Sequence, residues 1–294
     1  MKVEEIPKTY TRGFSNIDLI NLSLRELFLR LTPARIRQFT NNFELTTREN
    51  DPSDDPVIRV QKIARRFADH YRISVSAVIV TFRTDLYVPG RVELSPASEF
   101  FVELHNDHRD AIKPTVAILA HEVAHIFLYQ AGISLEPTFH NEVLTDTTAV
   151  FLGCGAAILN GANQTTTTSG NVITTSVKKY GYLSVDEFGY VQAKRDAFFR
   201  SEPTRLVNRG LPRWGYSTGR RHFKSEQNAP PFAPPNIFTR TFEALGLQKQ
   251  PQAALNQKIT FACAFCSQPL RIPRLGKTIS VHCPTCQETF LCHT

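Results

Sequence analysis

Hydrophobic residues in the first hundred positions follow two different spacings. Helical spacing predicts a first helix that begins near the capping residue Ser15 and is interrupted by Pro33. A polar loop ends at Pro56, and helical spacing then predicts a core-facing helix as far as Ala68. Three short runs rich in β-branched and aromatic residues follow and are typical of the strands of a small sheet: VSAVIVTF, RVEL and EFFVEL. Helices combined with such strands predict an α+β fold.

The middle of the chain returns to helical spacing. An apolar run lies between Pro114 and Gly132, which are residues that helices favour at their start and just beyond their end. A second helix is expected from Asn141 to about Gly153, and the capping-box sequence SVDE predicts a third helix over residues 185–200. The segment TTTTSG, between the second and third helices, is interpreted as a flexible or extended linker.

The composition changes after residue 200. Residues 201–256 contain seven prolines and little sustained periodicity, which is typical of a linker or a wrapping arm. Residues 257–294 hold five of the six cysteines. A segment this short needs a bound metal or disulfides to fold, so we expect a small C-terminal module beyond the arm.

The overall composition is that of a globular protein. Apolar residues make up 41% and charged residues 21% of the 294 positions, which excludes an intrinsically disordered chain. No run of about 18 consecutive apolar residues is present, and the first ten residues lack the apolar core of a secretory signal. We therefore expect a cytoplasmic protein with no membrane partner, whose cysteines are reduced or bound to metal.

Charge is distributed unevenly along the chain. Residues 1–191 carry 19 basic and 22 acidic side chains (−3), whereas residues 192–294 carry 15 and 5 (+10), which together make the net charge of +7. The segment from Arg205 to Lys224 contains no Asp or Glu and has three interleaved aromatic residues: Trp214, Tyr216 and Phe223. Such a segment is suited to hold phosphates and to stack on bases. We favour the interpretation that it packs against the acidic half or is solvated.

Two histidines on the predicted helix after Pro114 indicate a metal site. His121 and His125 are four residues apart in the sequence HEVAH, so a helix places both imidazoles on one face, where they can hold a single Zn²⁺. Glu122 lies beside them, positioned to act on a metal-bound water instead of binding the metal. The flanking sequences AILA and IFL predict a largely buried helix, in which these polar residues are costly without a metal or partners.

A catalytic zinc site usually takes a third protein ligand. Glu142 is the best candidate, because it stands at the start of the next predicted helix and a short turn can bring the two helices together. Asp146 lies one turn further on, where a carboxylate can accept the second ring N–H of a ligating histidine. The sequence NEVLTD therefore supplies both a ligand and a group that supports one.

The sequences HEVAH and NEVLTD together resemble the H-E-x-x-H and N-E-x-x-x-D pattern of the thermolysin-like gluzincin metallopeptidases. The resemblance covers His121 to Asp146. It implies a zinc site formed by His121, His125 and Glu142. It also implies that Glu122 is the general base and that Asp146 orients His121. The transition-state donor of the family matches no single position here, and four residues are candidates for it: His140, Tyr180, Tyr182 and Tyr190.

Two cysteine pairs near the C-terminus have the spacing of a structural zinc site. Cys263 and Cys266 are separated by sixteen residues from Cys283 and Cys286. Four thiolates bind Zn²⁺ tetrahedrally and leave no position for water, so this metal would be structural. Disulfides are the alternative. Residues 261–294 resemble a zinc ribbon, whose strands would be QPLRIPRL and KTISV.

These observations predict an α+β protein with a zincin-like metallopeptidase domain and a C-terminal four-cysteine zinc ribbon. The expected parts are an N-terminal helical segment packed on the catalytic domain (1–55), the catalytic domain (56–200), the Pro-rich basic arm or linker (201–256) and the ribbon (257–294).

The predicted function is hydrolysis of a peptide or protein substrate, with two zinc ions per chain. We expect an intracellular regulatory protease that uses the ribbon as a docking module, with a protein or nucleic-acid partner bound through the ribbon and the basic arm. The alternative is a nucleic-acid- or protein-binding regulator in which the zinc site of HEVAH is structural.

Overall fold

The computed structural model shows an α+β protein, as the sequence pattern predicts. It describes residues 13–95, 98–169, 172–201, 205–225, 258–263, 269–273, 278–285 and 289–293. The helices are α1 (Ile17–Arg30), α2 (Pro33–Arg37), α3 (Pro56–Tyr71), α4 (Ile112–Ala131), α5 (Thr138–Ala149), α6 (Gly155–Gly161), α7 (Val185–Phe199) and α8 (Leu211–Ser225). The strands are β1 (Ala77–Arg83), β2 (Gly90–Glu93), β3 (Glu99–His105), β4 (Asn163–Ser169), β5 (Val172–Lys178), β6 (Lys258–Ala262), β7 (Pro269–Pro273), β8 (Thr278–His282) and β9 (Thr289–His293).

Strands β1, β3 and β2 form one small mixed sheet. Strand β3 lies in the middle, parallel to β1 and antiparallel to β2. Alternate side chains, such as Val78 and Val80 on β1 and Phe100 and Val102 on β3, are buried. This face packs against α3 and α4, and the other face is open to solvent. The predicted sheet and the helix before it are therefore confirmed.

The two edges of this sheet have different surroundings. At the β1 edge, the side-chain amide of Gln61 donates to the carbonyl of Val78, and its oxygen accepts the N–H of Val80. At the opposite edge, Gly90 of β2 lies so close to α4 that a Cβ there would be 2.4 Å from Ile118 and 3.0 Å from Glu122. The β2 edge therefore runs beside the helix that carries HEVAH.

The N-terminus of α1 is hydrogen-bonded by a residue distant in sequence and not by the predicted capping residue Ser15. Its N-cap residue is Asn16, whose side chain makes no capping hydrogen bond. Glu187 of α7 accepts the backbone N–H of Asn16 at 2.6 Å and its side-chain amide at 3.1 Å. The same carboxylate completes the predicted capping box with Ser184. One glutamate therefore joins the starts of two helices that are distant in sequence.

Helix α4 lies at the centre of the fold. It packs against α3, α5, α6 and the sheet, and its residues from Thr115 to Ala124 are all buried. As predicted, it ends at Gly132, whose φ of 64° is the left-handed conformation that glycine adopts easily. Helix α5 and a π-helical turn (Val150–Cys154) follow, and the run enters α6 through a kink at Gly153, whose φ of 117° is not helical.

This run, Thr138–Gly161, is long and apolar enough to cross a membrane by length and composition alone. In the structure, 89% of its most apolar window is buried inside the protein. Such burial is typical of the core helix of a soluble protein.

Residues 165–169 of the segment TTTTSG belong to strand β4, so the interpretation as a linker is wrong. Strand β4 pairs with β5 in antiparallel register, and Thr166 lies opposite Thr175 while Thr167 lies opposite Thr174. Threonine is β-branched and favours strands. The pairing was missed because the hairpin lacks the alternation of apolar and polar residues that marks a half-buried strand.

Part of the predicted Pro-rich arm is helix α8, which packs on α7. The two helices are in such close contact that a Cβ on Gly219 would lie 2.1 Å from the backbone nitrogen of Tyr190. Tyr216 and Phe223 are buried at this contact. The helix was not predicted because Gly215 and Gly219 stand among the buried residues of its inner face and weaken its hydrophobic periodicity. Residues 226–256 of the arm lie outside the described residues.

Two antiparallel hairpins, β6–β7 and β8–β9, form in the C-terminal segment. Strands β7 and β8 coincide with the predicted QPLRIPRL and KTISV. Cys263 directly follows β6 and Cys283 directly follows β8, and both side chains are buried. Their predicted co-ligands, Cys266 and Cys286, lie outside the described residues.

Candidate metal centre

The candidate metal centre lies between α4 and α5. The connection SLEPTFH reverses the chain, so that the two helices pack on each other. Asn141 holds this connection, because its side-chain oxygen accepts the N–H of Leu135 at 3.1 Å. As a result, His121 and His125 on one face of α4 meet Glu142 on the first turns of α5.

Three ligand atoms converge at this place. The Nε2 atoms of His121 and His125 are 3.1 Å apart, and Oε2 of Glu142 lies 3.1 Å from the first and 3.3 Å from the second. Tetrahedral zinc with bonds of about 2.0–2.1 Å separates neighbouring ligand atoms by roughly 3.3 Å. The triangle therefore has the size that suits a small tetrahedral cation.

The other ring nitrogen of each histidine has a partner that determines the tautomer. Nδ1 of His121 lies 2.7 Å from Oδ1 of Asp146, which can only accept. Nδ1 of His125 lies 3.1 Å from the hydroxyl of Thr145, and that hydroxyl already donates to the carbonyl of Asn141 at 2.9 Å. Both Nδ1 atoms therefore carry the proton, and both Nε2 atoms present a lone pair to the centre.

Asp146 is itself held by a turn of the main chain. Its Oδ2 accepts the backbone N–H groups of Tyr182 and Leu183, the second at 2.9 Å, and the side chain is fully buried. Gly181 precedes them with a φ of 98°. A Cβ at Gly181 would lie 2.5 Å from Oδ1 of Asp146, so both the conformation and the space require glycine there.

The electrostatics of the centre favour a positive charge. Burial lowers the pKa of His121, but attraction to Asp146, Glu142 and Glu122 outweighs it and raises the pKa well above its ordinary value. Burial raises the pKa of Glu142, whereas the two neighbouring histidines bring it down to about 2. The carboxylates thus stabilise a cation among the three ligand atoms.

Glu122 follows His121 on α4 and is not one of the three converging ligands. It is buried, and this burial raises its pKa above the ordinary value although His121 and His125 oppose the shift. A raised pKa makes the ionised carboxylate a stronger base toward a proton of water. Glu122 also faces Gly90 at the start of β2, so its side chain lies beside an edge strand of the sheet.

Among the four candidate donors, Tyr182 is the one whose ring is seen next to a proposed zinc ligand, His121. It stacks on His121 with ring centroids 6.1 Å apart and planes inclined by 25°. Burial, followed by the charges of Glu142, Asp146 and Glu122, raises its pKa to about 12, so its hydroxyl keeps its proton near neutral pH. The phenol therefore remains a hydrogen-bond donor.

The other three candidates have different aromatic neighbours. Tyr180 packs edge-on against His108, and His140 contacts Phe139. Tyr190 is buried in the core, where its ring contacts aromatic groups of α8.

Two supporting residues were missed in the sequence. Thr145 lies between Glu142 and Asp146 in NEVLTD, and its position one turn after Asn141 would have indicated that it faces the same side of α5. Gly181 carries no signal by itself, because its role depends on a chain segment 35 residues after Asp146.

No protein-family model, curated protein or solved structure matches this chain. The chemistry of the site is therefore inferred from its own residues. Two imidazole nitrogens and one carboxylate oxygen are a donor set typical of catalytic zinc, and three protein ligands leave a fourth position open.

Proposed function

We propose that this chain is a zinc-dependent metallopeptidase similar to the gluzincins, with His121, His125 and Glu142 as the ligands of the catalytic zinc. The observation that carries the proposal is the triangle formed by the two Nε2 atoms and Oε2 of Glu142. Asp146 and Thr145 accept the Nδ1–H groups of the two histidines and so keep the Nε2 atoms free to bind a metal. Acceptors at about 3 Å repel one another unless a proton or a metal cation lies between them, and a metal cation is the one that can bind all three at once.

The proposed reaction is hydrolysis of a peptide bond. Zinc in this position supplies a Lewis acid that polarises the scissile carbonyl and makes an attacking water more acidic. Glu122 accepts the proton of that water and delivers it to the leaving amine. Its raised pKa, which results from burial, suits both halves of this transfer. The protonated hydroxyl of Tyr182 is the proposed donor to the developing oxyanion.

The surroundings of Glu122 favour an extended peptide as the substrate. Strand β2 lies at the edge of the sheet beside Glu122, and the main chain of an edge strand can pair with an extended peptide. The β1 edge is less suitable, because Gln61 already occupies a carbonyl and an N–H there. An extended peptide paired with β2 would pass the catalytic carboxylate.

A second, structural zinc ion is proposed for the ribbon, with Cys263, Cys266, Cys283 and Cys286 as ligands. In support, Cys263 and Cys283 are buried at equivalent places, directly after the first strand of each hairpin. A thiolate site requires a reducing compartment, which agrees with a cytoplasmic location. We propose that the ribbon docks one intracellular partner, as in a regulatory protease.

Metal analysis and cleavage assays on the full chain test this function. We expect two zinc ions in the wild type and one in each of two double variants, His121→Ala/His125→Ala and Cys263→Ser/Cys266→Ser. Glu142→Ala should lose the same ion as the histidine variant. Glu122→Gln should keep both ions but lose cleavage of denatured casein and of proteins in a cell extract, because an amide cannot accept the proton.

Glu136→Gln is the matched control, since Glu136 is exposed on the connection between α4 and α5. It should keep full activity. Wild-type turnover by Glu122→Gln would contradict the mechanism. Bound zinc without cleavage of any protein by the wild type would favour the alternative, a regulator with a structural metal site.

A further inference from the structure

Helix α8 buries two of its three aromatic residues and exposes the third. Tyr216 and Phe223 are buried against α7, so neither ring is available to a ligand. Trp214, by contrast, is 44% exposed. The aromatic residues of this segment, which look alike in the sequence, therefore include a single one that faces solvent.

The outer face of α8 and the turn before it form a basic stripe. Its members are Arg209, Arg213, Arg220, Arg221 and Lys224. No acidic residue occurs between positions 205 and 225. Within the described part of the chain, Arg209, Arg221 and Lys224 are exposed and form no ion pair with a carboxylate. A helix of this length is roughly 22 Å long, so the stripe presents positive charge along an extended line.

A cavity of about 780 Å³ opens at the N-terminal end of the stripe. Its lining includes Lys113 at the start of α4, Arg209, Trp214 and the amides of Asn163 and Gln164. Cations, amide groups and an exposed indole ring are thus combined in one concave surface. A cavity of this volume admits a ligand the size of a nucleotide.

The loop that forms one wall of the cavity is held in place. The side-chain amide of Asn160 donates to the carbonyl of Leu206 at 2.8 Å, and its oxygen accepts the N–H of Asn208 at 2.7 Å. Arg213 donates to the carbonyl of Val207, also at 2.8 Å. The wall is therefore preformed, and a ligand would not have to order it.

We propose that the basic stripe and its cavity bind single-stranded nucleic acid, with one base stacked on Trp214 and the phosphates following the arginines and Lys224 of α8. The positive charge alone would also attract an acidic protein segment. The carboxylates of such a segment do not stack on an indole ring, whereas a nucleic-acid base does. A duplex keeps its bases stacked in the helix and offers none to Trp214. A single strand uses every feature of this surface.

Because Trp214 is the single tryptophan of the chain, its fluorescence reports directly on the proposed contact. We expect a dT12 oligonucleotide to quench this fluorescence saturably at 50 mM NaCl. A dye-labelled dT12 measures affinity independently, by anisotropy. Trp214→Ala should weaken binding of the labelled strand about tenfold, which is the scale of one stacked base.

The charge contribution is tested with Arg220→Gln/Arg221→Gln/Lys224→Gln. Removing three phosphate contacts should make the slope of log K against log salt concentration less steep by about 2. The control, Arg25→Gln/Arg48→Gln, removes exposed charges from α1 and the loop before α3 and should bind like the wild type. Circular dichroism and zinc content verify that each variant is folded.

Three results would overturn the proposal. The first is the absence of saturable quenching by dT12. The second is unchanged affinity and salt dependence in the triple variant, which would place binding elsewhere on the chain. The third is equal or tighter binding of a poly-glutamate peptide or of duplex dT12·dA12, which would identify the stripe as a site for acidic proteins or for double-stranded DNA.

Discussion

His121 donates its Nδ1–H to Asp146 across 2.7 Å, and this hydrogen bond decides which imidazole nitrogen faces the metal centre. Asp146 can hold the ring in this tautomer because its second oxygen is occupied by the N–H groups of Tyr182 and Leu183. The carboxylate therefore connects a ligand on α4 with a turn that precedes α7.

The first prediction follows from the acceptor-only nature of this carboxylate. Both oxygens of Asp146 accept N–H groups, and the amide that Asp146→Asn introduces has only one oxygen. The NH₂ group of this amide must therefore face either the ring N–H of His121 or the main-chain N–H groups, so that two donors oppose each other. We expect zinc affinity at the centre to fall about 10- to 100-fold, the usual effect of losing such a support. Competition with a chromophoric chelator measures it, with Asp110→Asn, on the surface, as the control. Unchanged affinity would contradict the assigned tautomer.

The second prediction separates backbone strain from contact with Asp146. Gly181→Ala and Gly132→Ala both place a side chain at positive φ, at 98° and 64°, which costs about 1–2 kcal/mol. A Cβ at Gly181 would also collide with Asp146, whereas at Gly132 nothing lies within 4 Å. We expect both variants to unfold at a lower temperature, but only Gly181→Ala to bind zinc more weakly. Equal zinc affinities would show that the turn does not position Asp146.

The third prediction concerns where the chain can be shortened. A chain that ends at residue 200 loses α8, which covers Tyr190 and supplies the hydroxyl of Tyr216 to Asp196 at 2.8 Å. We expect it to unfold at a lower temperature or to lose the catalytic zinc. A chain that ends at residue 256 should keep that zinc and cleave an unstructured peptide while losing selection of its partner. Zinc content, thermal unfolding and cleavage distinguish the two, and equal stability would mean that α8 is dispensable.

The fourth prediction concerns stability in acid. Burial, followed by the positive charges of Arg195, Arg66 and Arg72, lowers the pKa of His70 to about 4, although its hydrogen bond to the carbonyl of Leu152 opposes the shift. Between this value and the ordinary pKa near 6.5, the unfolded chain binds a proton at this site that the folded chain does not. Stability is therefore lost as the pH falls through this window.

From pH 7 to pH 5, His70 should contribute a loss of roughly 2 kcal/mol in the free energy of unfolding. His70→Gln keeps a donor for Leu152 but has no titrating group. Urea unfolding at the two pH values should show a correspondingly smaller loss for the variant. The same loss in both proteins would contradict the assignment to His70.

Local patterns in the sequence were sufficient for the elements that depend on neighbouring residues. Pro114 and Gly132 delimit α4 closely, and SVDE predicts the start of α7, because caps and helical spacing act within one or two turns. The spacing of His121 and His125 places them on one helix face for the same reason. Glu142 and Asp146 were predicted from spacing and a resemblance, and the structure brings both to these histidines.

Only the tertiary structure decided the features that depend on distant partners. Glu187 replaces the Ser15 cap of α1, and Gly181 shapes the turn around Asp146, across separations that no local pattern records. Helix α8 was missed because Gly215 and Gly219 take two of the positions in its contact with α7, and their close approach weakens the hydrophobic periodicity. The sequence by itself determined the helix faces and the types of ligand, since these follow from covalent spacing. The fold decided the tautomers and the supporting contacts, since these require groups that meet only after the chain has packed.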